Sequence, residues 1–413
     1  MPRSAITELK DKLYLSQKAL WLLGFFLVVN VHLIPWLTKS PRATDLIGVI
    51  LGAALFIRFT VYGLRLIPLT ILFVLALVPV AWGIYALGVG DWDTAIRTSR
   101  WLVALPWAYM LYFASRKPEG RYALVLGMWW GVMVNLGVVL LQFAGYGTLM
   151  RNIGLAAQDE QLRSVYGLLR PPGMHGGPNA SMAVISLTVP LSLVLFYEYG
   201  KSVKVVLIGL AILVTGTAIT LTRSSALVAA ITLAIVFLFN LRLRRSFKLI
   251  TFLLVALIVV ILTLGPPGGW KRWTDIERLQ TNINGRVYTN FLSLQLSIRH
   301  PFGIGNLQRE ELVGATHNAF LQASLEYGLL FGIFIFCLML TMALRVLWGL
   351  RRAFGFEGIL ALHITGLFMF EEHLNNPTFI ILSTWVAISA IEWIRLILKR
   401  FPSKQKQKVL SHG

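Results

Sequence analysis

Long apolar runs, each followed by a short polar or basic stretch, set the rhythm of this chain. The runs fall at roughly 18–37, 44–60, 65–88, 96–114, 121–145, 179–198, 202–221, 224–241, 246–265, 318–346, 354–373 and 377–398. Each is about long enough to carry a helix across ~30 Å of hydrocarbon, so the pattern predicts about twelve transmembrane helices. Arg58 and Pro106 are expected to shorten or bend the second and fourth. Two polar insertions interrupt the rhythm, at 146–178 and 266–317, and the second leads into the 318–346 run. Within it Val287, Phe291, Leu294 and Ile298 form one helical stripe and Arg286, Asn290, Ser293 and Ser297 another. That spacing predicts an amphipathic helix over 284–299 lying on the membrane surface. With no repeat, low-complexity tract or soluble domain, residues 1–413 read as a single all-α, polytopic membrane domain.

Composition sharpens the class. Of 413 residues 56% are hydrophobic and only 14% charged, and the mean hydropathy of +0.70 excludes a soluble fold. The formal charge of +20 does not indicate a nucleic-acid partner, because the basic residues lie between apolar spans rather than on a folded surface. They instead set orientation. Lys10, Lys12 and Lys18, then Arg116, Lys117 and Arg121, Lys201 and Lys204, Arg242, Arg244, Arg245 and Lys248, Arg345, Arg351 and Arg352, and the lysine-rich tail after Leu398 fall in alternate loops. The positive-inside rule makes those loops and both termini cytoplasmic and turns the two insertions outward. The polar start, Met1 to Lys12, lacks a small-residue cleavage site, so the first span reads as retained. Cys337 is the sole cysteine, which excludes an internal disulfide and a cysteine metal cluster.

Cations on the outward side break the charge rule and mark candidate chemistry. Lys39 and Arg42 lie in the first outward turn, and the first insertion carries Arg151, Arg163 and Arg170. Arg223 opens a span, and the second insertion carries Lys271, Arg272, Arg278, Arg286 and Arg299. A guanidinium at a membrane boundary is stable when solvated or paired, and its fork fits phosphate oxygens two at a time. Singly, each arginine reads equally as snorkelling to lipid headgroups. Together they favour a lipid-linked phosphate or diphosphate. Arg170-Pro171-Pro172-Gly173 and Gly176-Gly177-Pro178-Asn179 form a constrained approach to the sixth span, as a headgroup contact or as a plain re-entry with Pro178 in the first helical turn.

His317 is the candidate base. Thr316 is expected to cap a helix beginning near His317 and running on through Phe331, Ile335 and Leu338. An imidazole at a helix start tends to stay neutral and able to accept a proton, although capping alone would also account for it. Glu371, Glu372 and His373 end the eleventh span, where carboxylates can orient or neutralise arginines. Glu326 would face away from His317 on a straight helix. Asp91 and Asp93 have a spacing used by metal-dependent sugar transferases, but Asp93 reads better as the cap of the helix at Thr94. His32 and His363 read as satisfied by neighbouring helices, with Asn30 a partner for such a group.

The order of these pieces resembles the bacterial O-antigen ligase and polymerase superfamily, and within it the O-antigen ligases. The residues carrying the resemblance are Thr222-Arg223-Ser224-Ser225, then Gly285-Arg286 leading to His300-Pro301-Phe302-Gly303-Ile304-Gly305, then His317-Asn318 with Leu321, Glu326, Gly328 and Gly332. The resemblance implies a GT-C-type glycosyltransferase in the bacterial inner membrane, its active site facing the periplasm, using neither cofactor nor metal. It implies a donor of O-antigen polysaccharide on undecaprenyl diphosphate, and a sugar hydroxyl of lipid A-core as acceptor. Arg223 and Arg286 would take the diphosphate and His317 would be the base, with inversion at the anomeric carbon. Arg170 and Arg163 join them on charge and location, and Asn318, Glu326, Glu371 and Glu372 are expected in support. A polymerase using a second lipid-linked glycan is the near alternative. A lipid or ion transporter is the distant one, although its charges should line a path through both leaflets.

Overall fold

The computed structural model describes residues 16–34, 41–62, 69–156, 163–165, 168–239, 276–314, 316–348, 355–371, 373 and 376–410. In chain order the helices are α1 (Gln17–Val28), α2 (Ala43–Tyr62), α3 (Leu69–Gly88), α4 (Trp92–Ala114), α5 (Pro118–Phe143), α6 (Gly147–Asn152), α7 (Pro178–Ser186), α8 (Thr188–Tyr197), α9 (Lys204–Thr220) and α10 (Arg223–Phe239). They continue as α11 (Ile276–Arg299), α12 (Gly305–Leu312), α13 (Ala319–Tyr327), α14 (Leu329–Leu344), α15 (Gly355–Phe370) and α16 (Pro377–Leu410). Among the described residues the only strands, β1 (Arg163–Val165) and β2 (Leu168–Arg170), pair antiparallel in the first insertion.

Among the described residues four stretches are long and apolar enough to cross a membrane, Pro118–Phe143, Pro178–Tyr197, Leu329–Trp348 and Pro377–Leu398, and six shorter apolar helices accompany them. Val49, Ile50, Phe56 and Ile57 of α2 and Ile84 of α3 are each more than half exposed. An outward apolar surface of this kind calls for lipid rather than water. Both α2 and α4 are continuous, passing through Arg58 and Pro106 without the expected shortening. The span expected at 246–265 lies outside the described residues.

Three expected spans are broken, each for a local reason. The first ends at Val28 instead of running to 37: Val29 is extended, and Asn30 donates its amide to the Met174 carbonyl. The sixth splits into α7 and α8 at Leu187, because Pro190 brings no N–H for the Ser186 carbonyl and its ring crowds that carbonyl. The tenth splits at Gly328, whose φ of 106° no side-chain-bearing residue adopts comfortably.

Two compact units organise the chain. One comprises Met1–Ile47, Met110–Ala230 and Lys248–Asp275, the other Gly48–Tyr109, Ile231–Phe247 and Ile276–Gly413. In the first unit α1 lies directly on α5, with small residues admitting one backbone to the other. A Cβ on Gly127 would stand 2.0 Å from the Trp21 carbonyl oxygen, and one on Gly24 would stand 2.3 Å from that of Leu124. Close approach through glycine is how helices gain packing where lipid removes the hydrophobic drive. The irregular segment from Arg170 to His175 is buried in this unit, and polar side chains serve its backbone: Gln142 accepts from Gly173 N at 2.8 Å and Asn135 from Met174 N at 3.3 Å. Non-helical backbone in such a setting persists only when protein supplies these partners.

In the second unit α11 and α12 pack on α13, and α14, α15 and α16 pack on one another. Helix α11 is longer than the 284–299 expected. Its apolar stripe faces outward, with Val287, Phe291 and Ile298 about 60% exposed, while Ser293 and Ser297 are buried. The polar face inward and the apolar face outward is the arrangement of a helix resting against lipid. Beyond it, the His300–Gly305 stretch locks onto the Gly328 bend: Leu329 N donates to the Pro301 carbonyl at 2.9 Å and Ile304 N to the Leu325 carbonyl at 2.6 Å. A Cβ on Gly328 would meet the Pro301 oxygen at 2.9 Å and one on Gly303 would meet Gly328 N at 2.8 Å, so both positions require glycine.

Candidate active site

In the second unit Arg286, His317 and Glu371 come together. Helix α13 begins at Ala319 and is capped by Asn318, whose Oδ1 accepts from Phe320 N and Leu321 N, each at 3.0 Å. This corrects the expected Thr316 cap: the carboxamide reaches two free N–H groups at once, and the Thr316 hydroxyl instead donates to the Asn318 carbonyl at 3.2 Å. His317 therefore precedes the helix rather than starting it, with the capped N–H groups turned to Asn318. Its φ is 50°, a left-handed conformation costing of order 1–3 kcal/mol in a residue other than glycine. The ring keeps 31% of its surface exposed, while Nδ1 is shut off from solvent, 3.9 Å from Glu371 Oε2 and with no hydrogen-bond partner among the described residues.

Glu371 follows the end of α15 and is 6% exposed. Its other oxygen, Oε1, accepts from Arg286 Nη2 of α11 at 3.1 Å, and Arg286 Nη1 donates to the Phe370 carbonyl at 3.0 Å. One carboxylate thus stands between the guanidinium and the imidazole. Burial alone would raise its pKa; the contact with His317 and the positive charge of Arg286 outweigh burial, assisted by His373, and hold the group at about 2. His373, buried and stacked on Phe379 at 5.1 Å, is pushed down to about 4 by burial, with Glu371 acting against that shift. The sequence expectation that a carboxylate at this end of the span would pair with arginine is met by Glu371. Glu372 lies outside the described residues.

Glu326 has a different setting. It is 3% exposed, 3.0 Å from Arg309 Nε, and accepts from Gln322 Nε2 at 2.8 Å. Arg309, 2% exposed, also donates to the Gly314 carbonyl and to Asn306 Oδ1 at 3.0 Å. Sequence reading overlooked Arg309 because the run Arg309-Glu310-Glu311 resembles a solvated face; the one usable signal was Asn306 and Arg309 at helical spacing. A buried pair of this kind is costly to break from one side. Replacing Glu326 by alanine should destabilise the protein by about 3 kcal/mol, the low end of that class, since Glu310 still reaches Arg309 at 3.3 Å. Thermal unfolding in detergent should show the loss, and Glu326→Gln should show a smaller one.

The first unit holds the other arginines. Helices α9 and α10 are joined by Leu221 and Thr222 alone, with Leu221 in the left-handed region at φ 54°. This sharp turn puts Arg223 at the first position of α10, where the N-terminal N–H groups favour an anion. Arg170 is 6% exposed and ties the turn down: Nε donates to the Thr220 carbonyl at 2.6 Å, and Nη2 donates to Asn179 Oδ1 at 2.9 Å and Thr222 Oγ1 at 3.1 Å. Arg163 faces Arg170 in the ribbon register. Pro178 opens α7 at its first position, so the Gly-Gly-Pro-Asn stretch is a helix start that also supplies Asn179 to Arg170.

The remaining candidates resolve simply. Asp91, not Asp93, caps α4, accepting from Thr94 N at 3.0 Å and from the Thr94 hydroxyl at 2.5 Å. Asp91 wins because it stands three residues before Thr94, where a cap reaches the third helical N–H. His363 is fully buried with Nδ1 3.1 Å from Thr232 Oγ1, a satisfied core histidine as expected. His32 is buried and its backbone bonds Gly154, while Asn30 turns to Met174.

Comparison with curated proteins finds no match. The apolar helices and a family match together support a multi-pass membrane protein. Residues 208–337 match the model of a family described as O-antigen ligase, so the resemblance carried by the sequence holds over the stretch containing Arg223, Arg286, His317, Asn318 and Glu326.

Proposed function

We propose that the chain is an O-antigen ligase of the GT-C type, with about twelve spans, both termini cytoplasmic and the site on the periplasmic face of the bacterial inner membrane. It transfers O-antigen polysaccharide from undecaprenyl diphosphate to a sugar hydroxyl of lipid A-core. The observation that carries this reading, beside the family match, is the pairing of Arg286 and His317 on the single carboxylate of Glu371. A leaving diphosphate needs fixed positive charge as its bond to the anomeric carbon breaks, and an entering hydroxyl needs a base. Arg286 supplies the first and His317 the second. Arg223 is the candidate diphosphate contact of the first unit, its turn braced by Arg170 in a ribbon register that pairs Arg170 with Arg163.

In the reaction the acceptor oxygen bonds to the anomeric carbon from the face opposite the diphosphate, and its proton passes to His317 Nε2. The carbon–oxygen bond to diphosphate breaks with its electron pair leaving on undecaprenyl diphosphate, and the centre inverts. Guanidinium charge takes the place a divalent ion holds in other transferases. The outward stripe of α11 keeps that helix against lipid, where donor and acceptor both arrive.

Reconstituted vesicles carrying the full chain test the reading. Radiolabelled polysaccharide should move from the undecaprenyl carrier onto lipid A-core with no nucleotide sugar and with chelator present. Growth of the label on the carrier instead would assign the protein to the polymerases, and neither product would remove the transferase reading.

A further inference from the structure

Glu371 is joined to the two reacting groups but touches neither substrate in the scheme above. Three titratable or charged neighbours face it from three elements: Arg286 from α11, His317 from the stretch ahead of α13, and His373 from the stretch ahead of α16. Resting on the ligase reading, we propose that Glu371 is a positioning residue that holds His317 with its proton on Nδ1, so that the Nε2 lone pair meets the acceptor hydroxyl.

Three observations carry this. The carboxylate is almost wholly buried and locked by two contacts between Arg286 and the end of α15, the Oε1 bond at 3.1 Å and the Phe370 carbonyl bond at 3.0 Å, so Oε2 has a fixed direction. His317 Nδ1 is buried, and Oε2 at 3.9 Å is the anionic acceptor in front of it. That separation is too long for a hydrogen bond; contacts between a base and its orienting group commonly tighten in the substrate complex. Finally, the left-handed backbone at His317, with φ 50°, sets the direction in which the ring leaves the chain. A neutral imidazole is donor at one nitrogen and acceptor at the other, so a carboxylate on Nδ1 selects the tautomer that is basic at Nε2. It also stabilises the imidazolium formed when the hydroxyl proton arrives. Arg286 keeps the carboxylate from carrying an uncompensated buried charge before that moment.

The test uses the full chain in lipid nanodiscs, with ¹⁵N-histidine labelling and the signal of His317 assigned by its loss in His317→Ala. In the wild-type protein His317 should show the Nδ1-protonated form. Glu371→Gln, which keeps the shape and removes the charge, should lower kcat by up to about 10⁴-fold, the scale of replacing a histidine-orienting carboxylate by its amide, with donor KM unchanged. Glu371→Asp should recover part of the rate. The proposal is overturned by an Nε2-protonated His317 in the wild type, by wild-type kcat in Glu371→Gln, or by a raised donor KM with kcat intact, which would assign Glu371 to Arg286 alone. The wild-type spectrum decides even if the variants do not fold. Normal transfer by His317→Ala would instead remove the histidine from the ligase reading itself.

Discussion

Replacing His317 by alanine should cut transfer onto lipid A-core by about 10²–10⁴-fold, the usual contribution of a positioned base. The size follows from what the side chain does not do. His317 lies outside α13, which Asn318 caps without it, and its ring is part exposed rather than packed in the core. Removing the ring should leave insertion and thermal unfolding close to wild type. Glycine at this position keeps the φ of 50° without strain, so His317→Gly separates the backbone from the imidazole: both variants should be equally inactive. The measurement is label appearing on lipid A-core per unit of folded protein. Wild-type rates in either variant would exclude the ring from the chemistry.

A second large effect is expected at Arg286. Arg286→Ala should lower kcat/KM for the donor by about 10²–10³-fold, the scale of losing one donor aimed at developing negative charge. This variant also strips Glu371 of its closest counter-charge, so part of the loss should appear as reduced stability. Arg286→Lys distinguishes the two. A lysine keeps the charge beside Glu371 and restores stability, but a single ammonium cannot span two oxygens, so its rate should fall between alanine and wild type. Initial rates against donor concentration, with thermal unfolding on the same samples, give both quantities. A lysine variant as stable and as active as the wild type would show that the fork is not used.

The sequence was most readable where one rule acted alone. Helices α2, α5, α9 and α10 lie within a few residues of the apolar runs that predict them, because apolar residues dominate each with few polar interruptions. Periodicity failed where a single position overruled it. Gly328 ends a helix inside the run expected at 318–346, where the Leu329 N–H turns to the Pro301 carbonyl and the Leu325 carbonyl takes the Ile304 N–H, and no local count reveals that neighbouring segment. Asn318 took the cap from Thr316 for a geometric reason that composition does not resolve. In the site, Arg286 and His317 were visible as outward polar residues in an apolar chain. Their meeting on Glu371 was not, since it depends on where α15 ends in space. Glu326 was legible as unusual but not as buried against Arg309, since ion pairs between helices leave no mark in either helix alone.

The bend at Gly328 and the loop at Gly303 meet through main-chain atoms only, and they do so where α11 hands over to α12 and α13 hands over to α14. The helix bearing Arg286 and the one introduced by His317 are thereby fastened at their far ends by a rivet that contains no side chain. Their separation is then a property of peptide geometry. Under the proposed reaction, surface loops can diverge to suit different substrates while the gap between Arg286 and His317 stays the same width.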